Sequence, residues 1–157
     1  MKDKILISSC LLGNKVRYDG QIIPFEHSLI ALWQEEGRLV TICPEIEGGL
    51  SVPRTPAELK PKLAKVITSE GTDVTAQFHK GASRSLALCL KLKIRFAILK
   101  ESSPSCGSSV VYDGTFNNMK VSGQGITTKL LRQYGINVFS ENNFTSLVNL
   151  LDDDKRA

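Results

Sequence analysis

Cysteine is the residue type in this chain that points most directly to chemistry. There are four, Cys10, Cys43, Cys89 and Cys106, far apart in sequence. Three share a local context. Cys10 follows the apolar run Ile5-Leu6-Ile7, Cys43 follows Leu39-Val40-Thr41-Ile42, and Cys106 lies a short loop beyond the run at 94–99. Each run reads as a buried strand. In open α/β sheets, ligands bind outside the carboxyl ends of the strands. Three separate loops are therefore expected to bring three thiols to one edge of one sheet. The Gly, Pro and Ser residues beside them expose backbone N–H groups that can hydrogen-bond sulfur and favour its charged form. Cys89 is different. It falls inside a helical pattern, with Ala82 and Leu86 on the same face, and reads as core filler.

Three thiolates can hold a metal centre. Zinc would need a fourth ligand or an open water position. The two histidines, His27 and His79, fall on expected helices and read as structural or surface residues. The Pro-Cys-x-x-Cys signature of zinc deaminases is absent. A cubane iron–sulfur cluster usually takes four cysteines. With three, one iron has no protein ligand and is open to a soft atom such as sulfur. A hydrolase with a single Cys nucleophile and no metal is a third reading. The spacing from Cys10 to Arg17 is one residue too long for the loop by which small phosphatases hold phosphate. The Gly-rich stretch from Ser122 to Thr128 opens a helix, where an anion can bind. It lacks the third Gly of the dinucleotide motif, and it reads as a turn and helix cap or as a minor ligand contact.

The remaining elements must position these groups. A helix is expected over 26–36, with Leu29, Ile30, Leu32 and Trp33 on its apolar side and Gly37 stopping it. Thr55-Pro56-Ala57-Glu58 has the capping-box pattern, so a one-turn helix ended by Pro61 is expected there. Residues 63–75 read as a small hairpin around Glu70-Gly71. Thr75 is expected to cap a long helix to about Leu92. A helix over 124–134 ended by Gly135, a strand over 136–139 and a helix over 144–151 complete the chain. The fold class is α/β: a single Rossmann-like domain over 1–157, with helices on both faces of a parallel sheet and a small β-hairpin insertion. Residues 152–157 are expected to form a disordered tail.

Composition narrows the function classes. Of 157 residues, 41% are hydrophobic and 23% charged, which excludes a disordered chain, a collagen and a coiled coil. No apolar run approaches the roughly 18 residues of a membrane span. The N-terminal apolar stretch is too short for a signal peptide. A cytoplasmic protein with reduced thiols is expected. The net charge is +4, the basic residues are scattered, and aromatics make up 6%. Nucleic-acid surfaces show a denser basic stripe, so a small-molecule partner is expected rather than a stable nucleic-acid complex.

The motifs resemble a known family. They are Ser8-Ser9-Cys10-Leu11-Leu12-Gly13, Arg17-Tyr18-Asp19-Gly20, Cys43-Pro44-Glu45, Gly48-Gly49-Leu50 and Pro53-Arg54 in the first third. Beyond it come Gly71-Thr72-Asp73-Val74-Thr75, Gly81-Ala82, Lys100-Glu101, Ser103-Pro104-Ser105-Cys106-Gly107-Ser108, Tyr112-Asp113-Gly114-Thr115-Phe116 and Gly123-Gln124-Gly125. Together they resemble the thiouracil desulfidase family, once termed domain of unknown function 523, from about Ile5 to Glu141. The resemblance implies an enzyme that removes sulfur from thiolated nucleobases such as 2-thiouracil by non-redox C–S cleavage. It implies a [4Fe-4S] cluster on Cys10, Cys43 and Cys106, with the open iron taking the substrate sulfur. On that reading Glu45, two residues after Cys43, is the candidate base for the attacking water. Ser103 is the candidate for positioning substrate or relaying a proton. Tyr18, Asp19 and Tyr112 are candidates for lining the pocket.

Overall fold

The structure is a computed structural model that describes residues 3–14, 17–20, 25–60 and 62–156, with side chains to Leu151. In chain order the elements are β1 (Ile5–Ser8), α1 (Ser28–Glu35), β2 (Leu39–Ile42), α2 (Pro44–Glu47), β3 (Ala57–Lys60), β4 (Lys65–Thr68) and α3 (Thr75–Leu92). There follow β5 (Phe96–Ile98), β6 (Val110–Tyr112), β7 (Lys120–Ser122), α4 (Ile126–Gln133), β8 (Asn137–Phe139) and α5 (Leu147–Arg156). Four strands form a parallel sheet in the order β2-β1-β5-β8.

Side chains alternate across a strand, and here both faces are covered. Ile5, Ile7, Phe96 and Ile98 pack with Ile30 and Trp33 of α1 and with Leu147 and Leu151 of α5. Leu6, Ala97 and Val138 pack on the opposite side with Leu86 and Cys89 of α3 and Leu131 of α4. Burial on both faces explains why β1 is apolar at three successive positions. The expected α/β sheet with helices on both faces is borne out. No helix among the described residues is long and apolar enough to cross a membrane.

Several local expectations need correction. Leu32 is 48% exposed; Ile30 and Trp33, three apart, make the buried face of α1. The capping-box pattern at Thr55 does not start a helix. Ala57–Lys60 is strand β3, paired antiparallel with β4 from Ala57↔Thr68 to Lys60↔Lys65. The ladder wins because it buries Val66, with Leu59 packed beside it, and satisfies backbone groups that a single helical turn would leave open. The hairpin insertion is thus β3–β4. The expected return strand at 73–75 is reduced to one bridge, Ile67↔Asp73. Thr75 is the first residue of α3 and not its cap: its hydroxyl accepts the Val66 N–H at 2.9 Å and ties the helix to β4. A second hairpin, β6–β7, lies where no strand was expected. Phe144–Ser146 is a 3-10 turn leading into α5. The helix runs on through residues expected to form a tail, whose side chains lie outside those described.

The short helix α2 lies almost against α3. A Cβ on Gly48 would fall 1.9 Å from the Gln77 carbonyl oxygen, and one on Gly81 would fall 1.9 Å from that of Pro44. Two glycines therefore set the depth at which α2 sits. Gly81→Ala is expected to push α2 outward and cost about 1–3 kcal/mol of stability, as overpacking does. The check is the urea midpoint, and an unchanged midpoint would mean that α2 shifts without cost.

Candidate functional site

Each thiol reaches the sheet edge by a different device. After β1 the chain turns through a 3-10 segment, Ser9–Leu12, which carries Cys10. After β2, Cys43 stands at the N-cap of α2. After β5, the loop from Lys100 to Ser109 carries Cys106. All three line one cleft of about 1010 Å³, together with Glu45, Arg54, Lys100 and Ser103. Tyr18, Tyr112 and Phe116 also line it. Asp19 does not; its carboxylate pairs with Arg17 at 3.3 Å. Cys89 is fully buried in the core between α3 and the sheet.

The thiols share one electrostatic environment. Burial pushes Cys10 up to about 11, and the nearby Cys43 adds to the shift. Burial also raises Cys43, opposed by the backbone N–H groups of Ile46 and Glu45. Cys106 is raised most, by burial first and then by the Glu45 charge, with Cys10 and Cys43 contributing. The Glu45 carboxylate thus acts on all three sulfurs. Lys100 opposes the shift at Cys10 and Arg54 opposes it at Cys43. Three neighbouring thiols, two of them buried and Cys43 partly so, ionise together only if a cation joins them. This donor set suits a soft, cationic metal centre. Among the described residues, no three His, Cys, Asp or Glu groups close tightly enough for a single ion. A cubane iron–sulfur cluster, in which each thiolate binds a different iron, takes thiolate donors of this kind.

Hydroxyls and amides surround the sulfurs. Ser8 Oγ donates to Cys106 Sγ at 3.8 Å and accepts the Lys100 N–H at 2.9 Å. Ser103 Oγ accepts the N–H groups of Ser105 and Cys106, at 3.1 and 2.7 Å. Its two lone pairs are occupied, which leaves the hydroxyl proton to donate. Glu45 is held by an ion pair with Arg54. The Gly-rich stretch before α4 is no anion site. The N–H groups of Gly125, Ile126 and Thr127 bond to the carbonyls of Gly107, Pro104 and Ser105, at 2.8, 2.9 and 2.9 Å. A Cβ on Gly125 would lie 2.3 Å from the Ser105 carbonyl, so glycine lets the helix dock on the Cys106 loop.

Three comparisons with known proteins bear on this arrangement. A family model described as 2-thiouracil desulfurase matches residues 5–143. The chain belongs to the 2-thiouracil desulfurase family. The family resemblance read from the motifs is therefore borne out. A solved structure of a relative described as the [4Fe-4S]-dependent thiouracil desulfidase TudS is 48% identical, with a TM-score of 0.93. The match covers 96% of this chain and 99% of that one. A Bacillus subtilis (strain 168) relative, the uncharacterized protein YbbK, is 41% identical over 152 residues. That match covers 92% of this chain and 99% of the relative.

Arg54, Lys100, Glu101 and Phe116 at this desulfurase-family site were not singled out by sequence reasoning. Each stands in a motif quoted above, but a motif gives no contact. Glu101 organises the Cys106 loop. Its Oε1 accepts the N–H groups of Ser102, Ser108, Ser109 and Val110, at 3.2, 2.7, 3.1 and 3.3 Å, and its Oε2 accepts the Ser108 hydroxyl at 2.6 Å. Burial alone would raise its carboxyl; these hydrogen bonds overcome that and lower it from 4.5 to about 2. The folded value lies below the unfolded one. The stability it contributes is therefore present above the unfolded pKa and is lost as pH falls toward the folded one. Glu101→Gln is expected to lower the melting temperature at neutral pH, with the gap to wild type closing between about pH 4.5 and about pH 2. A gap independent of pH would reject this assignment.

Proposed function

We propose that the protein is a [4Fe-4S]-dependent desulfidase that removes sulfur from thiolated nucleobases such as 2-thiouracil, with Cys10, Cys43 and Cys106 as the cluster ligands. The observation that carries the reading is the convergence of Cys10, Cys43 and Cys106 in one cleft with Glu45, whose charge raises all three thiols. Likeness to TudS, across nearly the whole of both chains, supports it. When bound, such a cluster supplies an iron without a protein ligand, a Lewis acid suited to a thione sulfur. The grouping of three thiols in one cleft favours this over a hydrolase using one thiol, and the [4Fe-4S] dependence named for TudS favours it over a zinc module.

The protein's own groups then divide the work. Glu45 is the base that takes a proton from water as the water oxygen attacks the carbon bearing sulfur. Arg54 holds that carboxylate toward the sulfurs. Ser103, with both lone pairs engaged, donates its hydroxyl proton toward the substrate or relays one. Tyr18 and Tyr112 wall the pocket, while Asp19 acts at one remove by holding Arg17. The overall change is hydrolytic: one oxygen from water replaces one sulfur, which leaves as hydrogen sulfide, and no electrons are gained or lost. The substrate is a small molecule, no stable nucleic-acid complex is involved, and a reducing cytoplasm keeps the thiols available.

Anaerobic reconstitution with iron and sulfide, followed by assay on a panel of thiobases, tests the reading. Replacing Cys10, Cys43 or Cys106 by Ser is expected to strip the iron and abolish turnover. Cys89→Ser is expected to cost stability and keep the iron; full iron loading in Cys43→Ser would remove that residue from the ligand set. Glu45→Gln is expected to keep the iron and lose roughly 10²–10⁴ in kcat, the usual contribution of a positioned acid or base. Near-normal turnover in that variant would reject Glu45 as the base.

A further inference from the structure

The cleft reaches beyond the thiols to the loop joining β6 and β7, which contributes Phe116 and Asn118 to its wall. Phe116 has φ of +60°, in the left-handed region that bulky side chains rarely enter. Neighbouring groups hold it there. Glu58 Oε1 on β3 accepts the N–H groups of Gly114 and Phe116, at 2.9 and 3.2 Å. The Lys60 ammonium donates to the Gly114 carbonyl and lies 5.3 Å from the centre of the Phe116 ring. Asp113 Oδ1 closes the turn by accepting the Thr115 N–H and hydroxyl, at 2.9 and 2.6 Å. Yet Phe116 belongs to none of the hydrophobic clusters of the described residues. An aromatic ring held in an unfavourable backbone state against a cleft, without serving the core, is placed for a ligand.

We infer that Phe116 is the stacking face for the planar ring of the substrate, and that Glu58 is a positioning residue that holds it. The inference rests on the thiobase reading and extends it to specificity. A flat, conjugated thione is bound well, and a puckered, saturated one poorly. Glu58 itself is only 9% exposed. It also lines the cleft, but its Oε1 is engaged by the loop's N–H groups, so its part here is to hold Phe116.

The test compares 2-thiouracil with 5,6-dihydro-2-thiouracil on the reconstituted protein, and measures uracil binding by calorimetry. Phe116→Leu is expected to raise KM for 2-thiouracil and Kd for uracil by roughly tenfold, the size of one base–aromatic stack. kcat and iron content are expected to hold, as is KM for the dihydro compound. Phe116→Tyr keeps the ring and is expected to restore both constants. Glu58→Ala is expected to act like Phe116→Leu, and Glu58→Gln like wild type, because the amide Oε1 still accepts both N–H groups. Unchanged constants in Phe116→Leu, or an equal loss on both thiones, overturn the inference. If the loaded wild type turns over neither thione, the desulfidase reading fails; uracil binding to wild type and Phe116→Leu then decides stacking alone. Failure of wild type to bind uracil also overturns it.

Discussion

Three sulfurs in one buried place cannot all carry charge unaided. Burial raises each thiol, Cys43 raises Cys10 further, and both of them raise Cys106. The surroundings of the site answer that constraint with fixed dipoles. Amides of α2 bond to Cys43, the Ser8 hydroxyl reaches Cys106, and Lys100 and Arg54 bring positive charge to the edge. These groups lessen the cost of ionisation without removing it. What they leave over is the driving force for taking up a metal centre, since a cation restores the charge balance that burial denies.

Two carboxylates that line the cleft, Glu101 and Glu45, stand in opposite circumstances. Glu101 is saturated with N–H and hydroxyl donors, so its charge is committed to holding the loop. Glu45 adds its charge to the field on all three sulfurs and has a guanidinium as its anchor. The same residue type thus serves as scaffold in one place and as a candidate proton acceptor in the other. Position on the backbone decides which: Glu101 bonds to its own loop, whereas Glu45 is carried by α2 into the cleft that the three thiols line.

The parts of the fold that lie deepest were the most legible in the sequence. β1 and β5 are buried at every position and read as short apolar runs because both faces of the sheet are covered there, whereas the edge strands β2 and β8 are buried only at Ile42 and Val138. The three cysteines follow β1, β2 and β5 directly or after a short loop. The hairpins were harder. β7 is exposed at all three positions and has no apolar period to read. At Thr55 a helix-start pattern was present, but pairing with β4 overrode it. The site residues missed share a trait. Arg54, Lys100 and Glu101 act through contacts with partners distant in the chain or with the backbone of a folded loop, and neither leaves a spacing. Phe116 owes its place to a backbone angle, which no residue pattern announces.

The docking of α4 on the Cys106 loop governs how the site can be filled. Its first amides hold the carbonyls at 104, 105 and 107, and Arg132, further along the same helix, donates to Ser108 O and Val138 O at 2.7 and 3.0 Å. Opening that loop would strip the start of a helix and loosen the edge strand beside it. The loop therefore does not swing aside as a hatch. Whatever fills the site meets a wall that a helix has already fixed, and the position of the Cys106 sulfur is set by the protein before anything binds.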